Sequence, residues 1–297
     1  MAVYPEALGF TSTYFSLPGL KMHAVIQGDG GAPVVIMLHG FPEGWLSFRE
    51  QIVPLANAGY RVVAPDQRGY NLTSKAGPYD LDPLVHDALR LMDACGVRQA
   101  HWVGHDWGGV VAWKLAERFP QHVTTLSILN VPHPAIGLRS VLRGNLRQLL
   151  RSIYVYYFQI PWLPEWSLRR NSFRLLRRSM ATSARPGTFS EADLDQYVRL
   201  WSEPGALSAM LGWYRAFMRR SAMTLWHSTP LPTYRMPALL LWGEKDIALG
   251  VELAVQSARL LENGRFIRLP EASHWIQHEF PEVVNQHLLE HLAGGQK

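Results

Sequence analysis

The sequence predicts an α/β fold, in which a mostly parallel sheet is flanked by helices and interrupted by an inserted helical segment. From residue 33 to 129, short β-branched segments alternate with helical patterns, as is typical of βαβ units. From about residue 132 to 227 the strand pattern stops, and arginine, leucine, tyrosine and tryptophan recur at helical spacing. After Pro232 the strand pattern returns, so the helical segment lies between two strands of one sheet.

The individual elements are predicted in chain order. In the first half we expect strands at residues 34–38, 61–64, 101–103 and 124–129, with a helix over residues 84–95. In the second half we expect strands at residues 238–242 and 265–269, and a last helix from about Pro281. This division predicts a core at residues 1–132 and 228–297 and a helical cap at residues 133–227. A chain of 297 residues has the length of one core with such an insertion.

Composition and the single cysteine limit which classes of protein this chain can belong to. With 47% hydrophobic and 18% charged residues, the chain has enough apolar side chains for a large core and too little charge for disorder. Cys95 has no disulfide partner, which suits a reducing compartment, and its helical context predicts a buried thiol. The N-terminus lacks a signal-peptide pattern, and no apolar run approaches the length of a membrane span. We therefore expect a cytoplasmic protein without stable membrane insertion, and a homodimer is left open.

The positive charge of the chain is concentrated in the predicted cap. Ten arginines and one acid, Glu165, lie between Arg139 and Arg185. Arginines recur there every fourth residue, at Arg139, Arg143, Arg147 and Arg151, with leucines between them. This spacing predicts one helix with a solvated basic face over a buried apolar face. We therefore expect no nucleic-acid partner, and an acidic partner or a membrane surface is the alternative.

A candidate nucleophile follows the third predicted strand. In open parallel sheets, ligand sites form beyond the carboxyl ends of the strands. There Gly104-His105-Asp106-Trp107-Gly108-Gly109 has the form of the G-x-S-x-G nucleophile elbow, with aspartate in the serine position. Taken alone this pattern is weak, because an aspartate between a strand and a helix is more often an N-cap.

The order of three residues strengthens the assignment. Asp106 is followed by Asp246 after the returning strand and by His274 after the last strand, which is the nucleophile, acid, histidine order of α/β-hydrolases. Glu244 beside Asp246 and His278 beside His274 are single-residue alternatives. Both rank lower, because Glu244 stands in the turn directly after a glycine and His278 lies four residues after His274, in the predicted last helix.

With these residues in order, the chain resembles the epoxide hydrolase branch of the α/β-hydrolases over nearly its whole length. The matching motifs are His39-Gly40-Phe41-Pro42, Asp66-Gln67-Arg68-Gly69-Tyr70, Gly104-His105-Asp106-Trp107-Gly108-Gly109, Asp246 and His274. The resemblance implies an oxyanion hole made by the backbone N–H groups of Phe41 and Trp107. It also implies that Tyr154 and Tyr214 are paired proton donors, with Tyr157 as the reserve for the first position. Asn71 stands where many relatives have glycine, and asparagine tolerates the left-handed backbone of such a turn.

An aspartate nucleophile indicates a saturated electrophile. A carboxylate, with a pKa near ~4, is ionised at neutral pH and needs no base to attack. In this interpretation Asp106 forms an alkyl ester, and His274, oriented by Asp246, activates water against the ester carbonyl while the oxyanion hole stabilises the developing charge. An epoxide also needs a weak acid, because its alkoxide is too basic to depart unaided, and a tyrosine phenol can donate that proton.

Two other functions compete with epoxide hydrolysis. A haloalkane dehalogenase would use the same nucleophile, but such enzymes commonly bind the halide with an asparagine at the position where this chain has Phe41. Fluoroacetate-type dehalogenases have an arginine at the position where this chain has Trp107. A ligand receptor would need a pocket without turnover, and the complete catalytic set argues against it. We expect a small apolar epoxide and water as partners, and no metal or organic cofactor. We also predict a substrate pocket lined by His39, Pro42, Phe158 and Trp213, and a cis Phe41–Pro42 peptide.

Overall fold

The structure, a computed structural model, describes residues 5–221 and 230–295. Its eight-stranded sheet has the order β1-β2-β4-β3-β5-β6-β7-β8, in which β2 is antiparallel to both neighbours and β3 to β8 run parallel. The strands are β1 (Thr11–Leu17), β2 (Leu20–Gln27), β3 (Val34–Leu38), β4 (Arg61–Pro65), β5 (Ala100–His105), β6 (Val123–Leu129), β7 (Ala238–Gly243) and β8 (Gly264–Leu269). The predicted α/β fold with a mostly parallel sheet is confirmed.

The sequence pattern located the parallel strands. All six predicted strands are present as β3 to β8, with bounds equal to the prediction or longer by one to three residues. β3, β5 and β7 are buried along their whole length. β3 and β7 are continuous apolar runs, as expected for strands covered on both faces, whereas β5 also contains His101 and His105. The hairpin of β1 and β2 was not predicted. β1 is an edge strand with mostly exposed or half-buried residues, and it lacks such an apolar run.

Helices flank the sheet, and α3 and α12 pack directly against its central strands. They are α1 (Arg49–Asn57), α2 (Leu81–Ala94), α3 (Trp107–Arg118), α4 (Pro134–Leu142), α5 (Leu146–Arg151), α6 (Ile153–Tyr157), α7 (Leu163–Ser183), α8 (Glu191–Ser202), α9 (Ala206–Ala216), α10 (Val251–Ala258), α11 (Ile276–Glu279) and α12 (Pro281–Gly294). Short 3₁₀ segments occur at Pro5–Leu8, Trp45–Phe48 and Pro120–His122, and a π-helical turn at Phe217–Ser221. Within the described ranges, no helix combines the length and apolar character that crossing a bilayer requires.

The helices α4 to α9 lie between β6 and β7, and we call this segment the helical insertion. It covers the described part of the predicted cap, whose end at residue 227 lies outside the described residues. α7 is kinked, with non-helical backbone angles from Arg170 to Phe173. α8 begins at a complete capping box, in which Ser190 and Asp193 bond each other's backbone N–H groups.

The prediction of a single arginine-bearing helix is wrong. The segment forms three short helices, α4, α5 and α6, because Gly144 adopts a left-handed conformation and Asn145 caps a new helix by accepting a hydrogen bond from the Gln148 N–H. The expected buried face is also incomplete, since Leu146 and Leu150 are exposed while Val141 and Leu149 are half-buried.

Candidate active site

The turn between β5 and α3 presents Asp106. Its backbone has φ 48° and ψ −121°, a conformation that residues other than glycine rarely adopt. The turn is tight because Gly108 lies against the end of β3, where a Cβ atom would be 1.9 Å from the Leu38 carbonyl oxygen. The strand, turn and helix predicted around Asp106 are therefore present, and its carboxylate lines a pocket.

The loop after β3 brings a backbone donor to Asp106. The Phe41 N–H donates a hydrogen bond to Asp106 Oδ1 at 2.9 Å. The Phe41–Pro42 peptide is cis, as predicted. Trp107 is the first residue of α3, so its N–H is among those that have no partner within the helix. Of the two backbone groups that the resemblance assigned to an oxyanion hole, the Phe41 N–H thus contacts the carboxylate, and the Trp107 N–H follows the nucleophile directly in sequence.

His39 does not line the pocket, and that prediction is wrong. Its imidazole is fully buried beneath the Phe41 loop, where Nε2 accepts a hydrogen bond from the Gln67 N–H at 2.9 Å and Nδ1 donates to the Gly40 carbonyl oxygen at 3.0 Å. Burial lowers the pKa of His39, so the ring is neutral, in agreement with one accepting and one donating nitrogen. His39 therefore holds the loop that carries the Phe41 N–H.

His274 is held by Asp246 and faces Asp106. Its Nδ1 lies 2.7 Å from Asp246 Oδ2, and its Nε2 lies 3.8 Å from Asp106 Oδ2. Asp246 follows β7, and its second oxygen accepts backbone hydrogen bonds from Ala248 and Leu249 at 2.7 and 2.9 Å. The chain therefore brings together the three residues predicted in the order nucleophile, acid and histidine.

The charges of this group determine the protonation of His274. Burial disfavours the imidazolium, but the adjacent Asp246 carboxylate outweighs it and raises the pKa of His274 to about 9, with a smaller contribution from Asp106. Burial likewise opposes ionisation of Asp246, yet His274 and the hydrogen bonds to Asp246 lower the pKa of this carboxyl. The acid is therefore an anion that orients and stabilises a protonated imidazole.

Tyr154 on α6 and Tyr214 on α9 meet at the pocket. Their ring centroids are 5.9 Å apart, and both residues line the same cavity as Asp106. Burial and the nearby Asp106 carboxylate raise the pKa of Tyr154, and burial together with Tyr154 raises that of Tyr214. Both phenols therefore carry their protons at neutral pH, which is the state a proton donor requires.

The pocket has a volume of about 330 Å³ and is mainly apolar. Pro42 and Phe158 line it, as predicted. Trp213 does not, and that prediction is wrong. Its indole is buried behind the pocket wall, where Nε1 donates a hydrogen bond to the Arg68 carbonyl oxygen at 3.0 Å and the ring packs against Trp107.

The structure separates the single-residue alternatives. Glu244 accepts a hydrogen bond from Arg268 Nε at 2.6 Å, and so faces away from His274. His278 lies 2.7 Å from the buried Glu43 and not beside Asp246. The Tyr157 hydroxyl is hydrogen-bonded to Ser167, whereas Tyr154 packs beside Tyr214. The geometry therefore favours Asp246, His274 and Tyr154 over these alternatives.

Sequence reasoning missed two polar contacts of the site. Asn130 Nδ2 donates to Asp246 Oδ2 at 2.9 Å. Asn130 directly follows β6, so its position at the same sheet edge could have identified it as a candidate. The His105 ring lies tilted against that of His274, with centroids 4.7 Å apart, and its Nε2 is 2.9 Å from the His274 carbonyl oxygen. His105 immediately precedes the nucleophile, but no spacing rule connects it with a residue so distant in sequence.

Comparisons with known proteins show the family of this chain. Residues 33–281 match the family described as "alpha/beta hydrolase fold". The chain is 41% identical over 288 residues to "AB hydrolase superfamily protein YfhM" of Bacillus subtilis (strain 168), covering 96% of this chain and 98% of that protein. It is 39% identical over 277 residues to human "Epoxide hydrolase 4", covering 90% of this chain and 74% of that protein.

A solved structure gives the same result. The crystal structure of an epoxide hydrolase variant from Bacillus megaterium superposes with a TM-score of 0.84 at 30% identity, covering 95% of this chain and 100% of that one. The likeness spans both the sheet and the helical insertion, because almost the whole chain is aligned. The chain therefore belongs to the α/β-hydrolase family, within its epoxide hydrolase group.

Proposed function

We propose that this chain hydrolyses epoxides to vicinal diols through an ester on Asp106. The observation that carries the proposal is that one pocket is lined by the carboxylate of Asp106, the imidazole of His274 and the phenols of Tyr154 and Tyr214. The relatives named epoxide hydrolases support the same reaction. In this proposal the helical insertion is a cap, because α6 and α9 carry both phenols to the nucleophile.

In the first step, Asp106 opens the ring. The Phe41 N–H occupies Oδ1, so Oδ2 attacks a ring carbon as the carbon–oxygen bond to the leaving oxygen breaks. Tyr154 and Tyr214 donate hydrogen bonds to that oxygen, and one of them gives it a proton. The transfer is favourable because an alkoxide is far more basic than a phenolate, even where burial raises the phenol pKa.

In the second step, water cleaves the ester. His274 Nε2 removes a proton from water as the water oxygen adds to the Asp106 carbonyl carbon, and Asp246 stabilises the imidazolium. The N–H groups of Phe41 and Trp107 stabilise the oxyanion. Collapse releases the diol and restores the carboxylate, and the proton on His274 returns to the phenolate through the departing diol or water.

A single turnover in ¹⁸O-water tests the order of attack. With excess enzyme, the diol should be largely unlabelled while the peptide containing Asp106 gains the label, because the transferred oxygen comes from the carboxylate. Direct attack by His274-activated water would label the diol and leave Asp106 unlabelled, which would overturn the mechanism. A matched alkyl halide serves as the control for the leaving group, since repeated halide release would instead indicate a dehalogenase.

A further inference from the structure

The helical insertion exposes apolar side chains beside the pocket. Leu146 and Leu150, four residues apart on one face of α5, are 70% and 69% exposed. Ile153, at the start of α6, is 65% exposed. Leu175 of α7 and Ile247, in the loop after β7, are also exposed and line the pocket. We call these five residues the apolar rim.

The apolar rim is continuous with the pocket entrance. Gln148 lies between Leu146 and Leu150 in sequence, but it is buried and ties α5 to the loop that carries Ile247. Its Nε2 donates to the Ala248 carbonyl oxygen at 2.9 Å, and its Oε1 accepts from the Gly250 N–H at 3.2 Å. Arg151, the residue after Leu150, lines the pocket itself. The two exposed leucines therefore lie beside the opening through which a substrate enters.

Exposed arginines lie beside part of the apolar rim. Arg143 and Arg147 are exposed on either side of Leu146 in sequence, whereas Arg174 and Arg178 are exposed on α7 and line a neighbouring groove with Glu191. In the part of the chain that the structure describes, none of these four arginines forms an ion pair with an acid. The surface therefore combines protruding aliphatic side chains with uncompensated positive charge.

We propose that the apolar rim and its arginines dock on an anionic lipid bilayer, so that the pocket opens toward the membrane. Arginine near an anionic leaflet gains attraction from the surface potential, and aliphatic side chains gain by entering the boundary between headgroups and acyl chains. A second copy of this chain fits less well, because a two-fold interface would set the same arginines against one another. Docking would let the pocket take an apolar epoxide directly from the lipid, and this part of the proposal rests on the proposed function. The docking itself does not depend on the proposed function.

Vesicle sedimentation tests the docking without reference to catalysis. The full chain is mixed at low salt with vesicles of phosphatidylcholine alone, or of equal parts phosphatidylcholine and phosphatidylglycerol. We expect binding to the anionic vesicles, weakened by salt. Two double variants, Leu146→Ser with Leu150→Ser and Arg143→Gln with Arg147→Gln, should each lower the partition coefficient on the order of tenfold or more.

Control variants outside the apolar rim show whether a loss of vesicle binding is specific to the rim. Val53→Ser on α1 changes an exposed aliphatic residue, and Arg98→Gln before β5 changes an exposed arginine, both outside the helical insertion. Both controls should bind vesicles as the parent does, and all variants should hydrolyse a small water-miscible epoxide at the parent rate. No binding to anionic vesicles, or equal loss in controls and rim variants, would overturn the proposal. Self-association of the parent, measured by light scattering and abolished only in the rim variants, would also overturn the proposal. In that case a second copy of the chain would cover the apolar rim.

Discussion

His274 Nε2 lies 3.8 Å from Asp106 Oδ2, beyond hydrogen-bond distance. A histidine that had to deprotonate its nucleophile would bond to it directly, as in the serine triad. In the proposed mechanism the nucleophile is a carboxylate, so Nε2 is free to receive a proton from water instead. This separation matches a base that acts only after the ester has formed.

Changing His274 to Gln should therefore leave ring opening intact and stop ester hydrolysis. The variant should accumulate an enzyme heavier by one substrate, visible by intact-protein mass spectrometry. The added mass should map to the peptide containing Asp106. A variant that turns over at the parent rate, or that never gains the mass while the parent remains active, would contradict the assigned role.

The proton donors are tested by removing the phenol oxygens. Tyr154→Phe and Tyr214→Phe should each slow formation of the alkyl-enzyme, and the double change should slow it by roughly 10²–10⁴-fold, the usual worth of general acid catalysis. Tyr157→Phe is the matched control, because the Tyr157 hydroxyl is hydrogen-bonded to Ser167. Rapid-quench single turnovers give the rates. If the double variant alkylates at the parent rate, the donors are elsewhere.

The pH dependence of ester hydrolysis follows from the charges on either side of His274. His274 acts as a base in its neutral form, which predominates above its pKa, so the rate should rise with pH through that pKa. Burial alone would lower the pKa of His274, but Asp246 and, less strongly, Asp106 raise it to about 9 in the free enzyme. Ester formation removes the charge of Asp106. The rise measured in single-turnover hydrolysis should therefore be centred below about 9, and a midpoint above it would contradict this account.

Asp246→Asn should move that midpoint to lower pH and reduce the plateau rate. Removal of the carboxylate lowers the pKa of His274, because the charge that favours the imidazolium is lost. The plateau should fall on the order of 10²-fold or more, since the histidine loses its orientation and its counter-charge. Glu244→Gln is the control, because Glu244 bonds Arg268 at 2.6 Å. If Glu244→Gln reproduces the effect and Asp246→Asn does not, the acid has been misassigned.

Gly40→Ala should abolish activity and lower thermal stability. An added Cβ atom would lie 2.4 Å from Asp106 Cβ and 2.5 Å from its Oδ1, so either the nucleophile or the loop must move. The overpacking should cost about 1–3 kcal/mol of unfolding free energy. Gly30→Ala is the matched control, because a Cβ there meets nothing within 4 Å. Calorimetry and turnover measure both effects, and an active Gly40→Ala enzyme would refute the close approach.

Local sequence patterns were enough to predict the parallel sheet and the chain order of the proposed catalytic residues. β3 and β7 are continuous apolar runs, and the other parallel strands contain shorter apolar or β-branched segments, so β3 to β8 could be located. Asp106, Asp246 and His274 each follow a strand at the same sheet edge. The apolar or β-branched residues of a strand can be recognised from that segment alone. The carboxyl ends of parallel strands lie at the same edge of the sheet, so residues that follow them are expected to be close together.

Which side chains reach the pocket depends on long-range packing that local sequence patterns do not contain. His39 and Trp213 are aromatic residues at the expected positions, yet both turn away from the cavity, because their ring nitrogens bond to backbone atoms of Gly40, Gln67 and Arg68. The arginine repeat likewise predicted one helix with a buried face, but the helix ends before Gly144, and Leu146 and Leu150 are exposed. Periodicity specifies the face of an isolated helix. Whether that face is covered depends on what packs against it, and that is decided by residues far away in the sequence.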